Sequence, residues 1–179
     1  MKEKIRSLEF IDFRAETLFI MKMSEVVDFC EKYKKNIGLP FHCLADPPTM
    51  DEEKLRLFID AGLRHIIMGI QSGSDRVNFE VYKRYIKQQQ VIKAAEVVNK
   101  YKNRISICYD FIATNPYETK EDIIETIELI RYLPKPFFLS INNLVYFPGT
   151  ELYDWTLRDK LISKQNNPTA NLNYWDRFK

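Results

Sequence analysis

Polar side chains follow several apolar runs of this sequence, and their types suit recognition of a small polar molecule. Glu16 can accept hydrogen bonds from an ammonium group, while Gln71 and Asp110 can bind sugar hydroxyls. Arg84 can pair with a carboxylate through two parallel hydrogen bonds, and Ser72 adds a hydroxyl beside Gln71. Any one of these residues is also typical of a solvated strand end, so the candidate binding site rests on the set.

These residues need elements that carry them to one place, and the chain alternates short β-rich runs with longer helical runs. The patterns predict strands over 8–13, 41–45, 65–70, 105–113 and 137–147. They predict helices over 24–36, 51–61, 75–85, 89–102, 119–132 and 151–160. Thr119 and Asp122 match the capping pattern of a helix start. The alternation indicates a parallel α/β fold, in which ligands bind beyond the C-terminal ends of the strands.

Two parallel architectures remain open at this point. Five strands are too few for a closed eight-stranded barrel, which leaves a partial barrel or an open doubly wound sheet. No G-x-G-x-x-G turn follows the first strand, as a dinucleotide-binding sheet would require. The small-residue loop after a strand is instead 69–74, Gly-Ile-Gln-Ser-Gly-Ser.

Composition excludes several functional classes. Hydrophobic residues make up 45% and charged residues 29%, an ordinary globular balance, and the net charge of +2 gives no electrostatic reason to expect nucleic acid or an acidic membrane. No apolar run is long enough to span a bilayer. Three dispersed cysteines, Cys30, Cys43 and Cys108, argue against a disulfide framework, so we expect a cytoplasmic protein.

Four segments of small, acidic and aromatic residues occur in a fixed order along the chain. They are 61–62 (Ala-Gly), 69–84 with Gly-Ile-Gln-Ser-Gly-Ser, Arg76 and Val-Tyr-Lys-Arg, 109–122 with Tyr-Asp-Phe-Ile and Pro-Tyr-Glu-Thr, and 147–153 (Phe-Pro-Gly-Thr-Glu-Leu-Tyr). In this order they resemble motifs of the radical S-adenosylmethionine enzymes, over roughly residues 8–162. Within that family, the segments are most similar to the branch whose members often carry an N-terminal cobalamin-binding domain.

The resemblance implies a partial TIM-like barrel of about five strands, the second to the sixth of that family. It implies S-adenosylmethionine and a 4Fe–4S cluster as cofactors, cobalamin in the longer protein, and reductive cleavage of S-adenosylmethionine to a 5′-deoxyadenosyl radical. By position, Glu16 would contact the methionine amino group, and Gln71 and Asp110 would face the ribose. Arg84 would pair with the methionine carboxylate, with Arg76 as a weaker candidate for that role.

The cysteines depart from the family pattern. The cluster loop of that family reads C-x-x-x-C-x-x-C, because three thiolates must reach one cuboidal core, and no such string occurs here. We therefore predict no metal ligand in this chain and a buried, apolar role for each cysteine. We expect an inactive fragment that lacks the family's first strand and cluster loop, with the partial barrel over 1–164 and a polar tail over 165–179.

The predicted fragment has a consequence for association. Without a preceding strand, residues 8–13 form an exposed edge, which predicts poor solubility, dimerisation through that strand or pairing of the strand with the tail. Two other functional classes compete with the radical enzyme: a non-catalytic α/β barrel used for binding or scaffolding, and a phosphate-binding barrel enzyme. The last is the weakest, since no glycine-rich loop precedes a late helix. The sequence does not indicate a substrate.

Overall fold

The computed structural model describes residues 8–163 of the chain. It contains five strands, which are β1 (Ile11–Phe13), β2 (Phe41–Ala45), β3 (Leu63–Gln71), β4 (Ser106–Ala113) and β5 (Phe138–Asn143). The α-helices between and after them are α1 (Met23–Asn36), α2 (Glu52–Ala61), α3 (Gln88–Asn99), α4 (Lys120–Tyr132) and α5 (Glu151–Arg158). Within this described part, no helix is both long and apolar enough to cross a bilayer.

The five strands form one sheet in the order in which they occur along the chain, and every neighbouring pair is parallel. The described sheet does not close, because β1 and β5 each pair on one side only. This confirms the expected partial α/β barrel of five strands, since every connection passes through a helix or helical turn. The first and last strands are the two edges.

Three elements differ from their predictions. Residues 75–85 do not form a regular α-helix: they contain a five-residue π-helical turn, Val77–Val81, followed by Lys83 in the left-handed region with φ 54°. The last strand ends at Asn143 rather than at residue 147. The first strand is also shorter than predicted, with three residues at Ile11–Phe13.

One face of the sheet is covered by helices and forms the core. Ile66, Met68 and Ile70 of β3 are completely buried, as are Leu55 and Phe58 of α2. Burial of each such side chain stabilises the fold by about 1.5–3 kcal/mol. Successive strand residues point to opposite faces, so the residues between these core positions lie on the other face. That alternation places Gly69, Gln71 and Asp110 on the face that carries the site.

The helix starts follow from local capping chemistry. Asp51 accepts a hydrogen bond from the backbone N–H of Lys54 at 2.9 Å and begins α2. Thr119 and Asp122 cap α4 reciprocally, because Thr119 N donates to Asp122 Oδ2 at 2.8 Å and Asp122 N donates to Thr119 Oγ1 at 3.3 Å. The predicted capping pattern is therefore confirmed.

Candidate functional site

A cleft of about 650 Å³ lies at the C-terminal ends of the first four strands. Ligands bind at this edge of parallel α/β folds, because the loops that follow the strands converge there. Its charged residues are three carboxylates and one guanidinium. They are Glu16, Asp46, Asp110 and Arg84, and they share the cleft with Gln71, Gly69 and an apolar wall that includes Leu44, Ile67 and Ile86.

The cleft contains an ion pair between Arg84 and Asp46. Arg84 Nη2 donates to Asp46 Oδ1 at 2.8 Å. The guanidinium and the amide of Gln71 both lie against Gly69, because a methyl group built there would be 2.8 Å from Gln71 Nε2 and 3.3 Å from Arg84 Nη1. Gly69 therefore gives these two polar groups the space to occupy the cleft floor.

Glu16 stands at the rim on the loop after β1. Thr17 beside it accepts a hydrogen bond from the backbone N–H of Phe19 at 3.1 Å, and its hydroxyl lies 3.2 Å from that of Thr49. Thr49 in turn donates to the backbone oxygen of Asp46 at 2.9 Å. These contacts tie the loops after β1 and β2 together. The carboxylate of Glu16 has no hydrogen-bond or ion-pair partner within residues 8–163, and it is exposed to solvent.

Asp110 reaches the same cleft from β4. Its Oδ1 accepts a hydrogen bond from Asn142 Nδ2 of the neighbouring strand at 3.3 Å, and that amide also donates to Ser140 Oγ at 3.2 Å. One oxygen of Asp110 is thus oriented by a cross-strand contact on the site face. The other oxygen can accept a hydrogen bond from a ligand hydroxyl.

Ser72 and Arg76 are not brought to the cleft. Ser72 is buried, its hydroxyl donates to Glu118 at 3.4 Å, and it lies 3.3 Å from the hydroxyl of Thr126. Arg76 pairs with Asp122 at the start of α4 and donates to the backbone oxygen of Tyr117 at 2.9 Å. Ser72 differs from Gln71 because β3 ends at Gln71, whose φ of 70° turns the chain, so that Ser72 packs against Glu118 and Thr126 instead.

A buried polar network fixes the loop after β3 onto α4. Gly73 N donates to Thr126 Oγ1 at 2.8 Å, and Ser74 Oγ donates to Asp122 Oδ1 at 2.6 Å. The Arg76 guanidinium, followed by the Ser74 and Thr119 hydrogen bonds, holds the pKa of Asp122 well below its usual range. Burial raises the pKa of the adjacent Glu118. The network therefore positions the loop that delivers Gln71 and Arg84.

The three cysteines do not form a group. Cys30 and Cys43 are buried among apolar residues, and burial raises their thiol pKa values to about 11 and about 12. Cys108 is half-buried, and burial raises its pKa as well. Between residues 8 and 163, no three His, Cys, Asp or Glu side chains lie close enough together to hold a metal ion. These residues do not fit an iron–sulfur cluster.

The structure thus brings together four of the five candidate residues, Glu16, Gln71, Arg84 and Asp110, and leaves Ser72 outside. The five predicted site residues do not include Asp46, which lines the cleft. A usable signal existed, because Asp46 directly follows β2 just as the other polar residues follow their strands.

Comparison with sequence families gives one match over most of the chain. The Radical SAM superfamily profile matches residues 16–130. Among curated proteins, the chain is 30% identical over 164 residues to the tRNA-2-methylthio-N(6)-dimethylallyladenosine synthase of Sulfurihydrogenibium sp.. That alignment covers 89% of this chain and 36% of the relative, so the chain spans about a third of its length.

Solved structures share the fold at low identity. The coproporphyrinogen III oxidase HemN of Escherichia coli, a radical SAM enzyme, superimposes with a TM-score of 0.69 at 16% identity, covering 95% of this chain and 40% of HemN. The radical S-adenosylmethionine methyltransferase TsrM of Kitasatospora setae, solved with cobalamin and a 4Fe–4S cluster bound, gives 0.64 at 15% identity. That match covers 83% of this chain and 30% of TsrM.

Proposed function

The chain belongs to the radical SAM superfamily, and on that premise we propose that the cleft at the strand ends is its S-adenosylmethionine site. The family uses S-adenosylmethionine and a 4Fe–4S cluster. The observation that carries the proposal is the convergence of one guanidinium, three carboxylates and one amide in a single cleft of about 650 Å³. S-adenosylmethionine offers the matching groups: a carboxylate, an ammonium, a sulfonium and two ribose hydroxyls.

The carboxylate, the ammonium and the ribose hydroxyls each have a residue of suitable chemistry. Arg84 binds the methionine carboxylate, since a guanidinium presents several N–H donors to one carboxylate. Glu16, which has no described partner, accepts from the ammonium. Gln71 and Asp110 bind the ribose hydroxyls from neighbouring strands. Gly69 has no side chain, which leaves room for Gln71 and Arg84 to lie side by side where they can meet the ligand.

The cluster is supplied from outside this set of residues. No cysteine lies in the cleft, and the sequence holds only three, at positions 30, 43 and 108. When bound, such a cluster provides the electron for cleavage of the sulfonium. We propose that the longer protein cleaves S-adenosylmethionine reductively and that this chain alone binds it without cleaving it.

Further properties of the longer protein are proposals from its relatives. TsrM binds cobalamin, so we extend cobalamin use to the longer protein. The name of the curated relatives includes a tRNA nucleoside, whereas the net charge of +2 gives this chain no electrostatic reason to bind RNA. The absence of a nucleic-acid partner therefore stays a prediction. The dispersed cysteines favour a cytoplasmic location.

A ligand titration tests the proposed site. We expect ligand-observed NMR to give a dissociation constant on the order of 100 µM for S-adenosylmethionine, because the amino and carboxylate ends lack the iron that would chelate them. Arg84→Ala should weaken binding about tenfold. Arg104→Ala is the matched control, since Arg104 also pairs with an aspartate, Asp60, at 2.8 Å but outside the cleft. Micromolar affinity that survives the double change Gln71→Ala and Asp110→Ala would place the site elsewhere. No binding at all would favour a scaffolding role.

We also propose that two copies associate through the edge strand β1. Phe10, just before this strand, is 49% exposed, and within residues 8–163 the strand pairs only with β2. Phe10→Lys should shift a concentration-dependent dimer toward monomer in size-exclusion chromatography with light scattering. Ile141→Lys is the control, because Ile141 is 60% exposed on the opposite edge strand. A monomer at all concentrations for the unmodified chain would contradict the proposal.

A further inference from the structure

Arg84 is anchored in the cleft by a residue from a different loop. Asp46 follows β2, whereas Arg84 follows the π-helical turn after β3, and the two are 38 positions apart. Their side chains are 29% and 33% exposed. The contact is therefore partly screened by solvent, so that its main consequence is geometric rather than a large electrostatic stabilisation.

The backbone at Arg84 is held, but the side chain is long. Arg84 N donates to the backbone oxygen of Asn78 at 2.8 Å, and Lys83 before it adopts a left-handed φ of 54°. These constraints fix where the side chain starts. They do not fix its rotamers, which carry about 2 kcal/mol of conformational entropy. Among residues 8–163, Asp46 is the one hydrogen-bond partner of the guanidinium.

The ion pair leaves most of the guanidinium available. Asp46 takes a hydrogen from Nη2, whereas Nη1 and Nε have no hydrogen-bond partner within the described residues. Nη1 is the atom that lies over Gly69 on the cleft floor. One nitrogen of the guanidinium is thus held by Asp46, and the other donors of this cleft-lining side chain remain available to a ligand.

We propose that Asp46 is a positioning residue that holds Arg84 ready for the carboxylate of the bound ligand. The inference rests on the proposed S-adenosylmethionine site and adds a residue to it. Holding one rotamer removes part of the ordering cost that the ligand would otherwise meet, which is how preorganisation raises affinity. If Asp46 instead competed with the ligand carboxylate for Arg84, removing it would strengthen binding. The two roles therefore predict opposite changes in the affinity for S-adenosylmethionine when Asp46 is removed.

The experiment compares two ligands that differ only in the carboxylate. The 179-residue chain is titrated with S-adenosylmethionine and with decarboxylated S-adenosylmethionine, and each dissociation constant is measured by ligand-observed NMR. Asp46→Ala should weaken binding of S-adenosylmethionine about fivefold and leave the decarboxylated ligand unchanged. Asp46→Asn should fall between, because the amide oxygen can still accept from Nη2. Asp60→Ala, which removes the partner of Arg104, should change neither.

A double-mutant cycle isolates the coupling. Once Arg84 is replaced by Ala, adding Asp46→Ala should cause no further loss, because there is no guanidinium left to orient. Tighter binding of S-adenosylmethionine by Asp46→Ala, or equal weakening of both ligands, would overturn the positioning role. Full additivity with Arg84→Ala would overturn it as well. An unmodified chain that binds neither ligand would refute the proposed site itself, which separates that failure from the failure of this inference.

Discussion

Among the five glycines of the chain, Gly73 has the closest neighbours, where the loop after β3 meets helix α4. A methyl group built at Gly73 would be 2.4 Å from Thr126 Cα and 2.9 Å from the backbone oxygen of Glu125. Gly73 does not have a positive φ, so the obstacle is packing rather than backbone conformation. Carbon atoms pack at about 3.5–4.0 Å, so Gly73→Ala would force the loop and the helix at least ~1 Å apart.

The magnitude follows from the contacts that this separation breaks. Overpacking alone costs about 1–3 kcal/mol. The hydrogen bond from Gly73 N to Thr126 Oγ1, at 2.8 Å, contributes about 0.5–1.5 kcal/mol, and the charge-assisted one from Ser74 to Asp122 about 1.5–3 kcal/mol. Since some of these contacts partly survive relaxation, we expect Gly73→Ala to lower the free energy of unfolding by about 3–5 kcal/mol.

Gly69→Ala is the matched comparison, four positions earlier. The atoms it would meet are the ends of flexible side chains, Gln71 Nε2 and Arg84 Nη1, which can move without displacing backbone. We expect a change in unfolding free energy below about 1 kcal/mol, because side-chain rotation relieves the contact. Because those two ends form the cleft floor, we also expect about tenfold weaker binding of S-adenosylmethionine.

Urea denaturation followed by circular dichroism measures the first effect. With a slope of about 2 kcal/mol per molar urea, a loss of 3–5 kcal/mol lowers the midpoint by roughly 2 M. A loss below about 1 kcal/mol for Gly73→Ala would show that the loop does not pack on α4 as described. Equal destabilisation by both substitutions would refute the distinction between backbone and side-chain neighbours.

The remaining predictions concern acid stability and iron binding. Asp122→Asn should lower the free energy of unfolding by about 2–3 kcal/mol at pH 7, because it removes the charge that pairs with Arg76. The folded-state pKa of Asp122 lies well below its usual value, so its contribution is present above about pH 4 and is lost as the pH falls further. Urea midpoints measured from pH 7 to pH 3 should therefore fall for the unmodified chain and fall less for Asp122→Asn, and parallel curves would contradict this. Anaerobic reconstitution of the chain with iron and sulfide should give no 4Fe–4S absorbance, since Cys30, Cys43 and Cys108 are separate and have raised pKa values. A stoichiometric cluster would show that these thiolates can converge.

Much of the fold could be predicted from local pattern. The nearly all-apolar run at 65–70 is typical of a strand with both faces covered, and the structure extends it to Leu63–Gln71. Helix α4 begins at Lys120, directly after its predicted N-cap Thr119. Residues 75–85 have a helical pattern too, yet they form only a π-helical turn. The loop before them is held by Asp122 and Thr126, about 50 residues away, and no local pattern contains those contacts.

The candidate site, like the fold, could be predicted from the sequence only in part. Glu16, Gln71, Arg84 and Asp110 could be grouped in advance because parallel strands present their C-terminal ends at one edge. Ser72 could not be excluded by the same rule, since it follows the same strand as Gln71. Only the side-chain direction separates them: Gln71 faces the cleft, and Ser72 is buried against Glu118 and Thr126.

The sequence by itself determined the alternation of strands and helices, the identity of the polar groups at the strand ends and the separation of the three cysteines. These are properties of residue type and spacing, which act over a few positions of the chain. The tertiary structure decided that Asp46 anchors Arg84 and that Gly69 and Gly73 have different neighbours. The anchoring of Arg84 and the packing of Gly73 depend on contacts between residues 38 or more positions apart, whose geometry is set by the packing of the whole sheet on its helices.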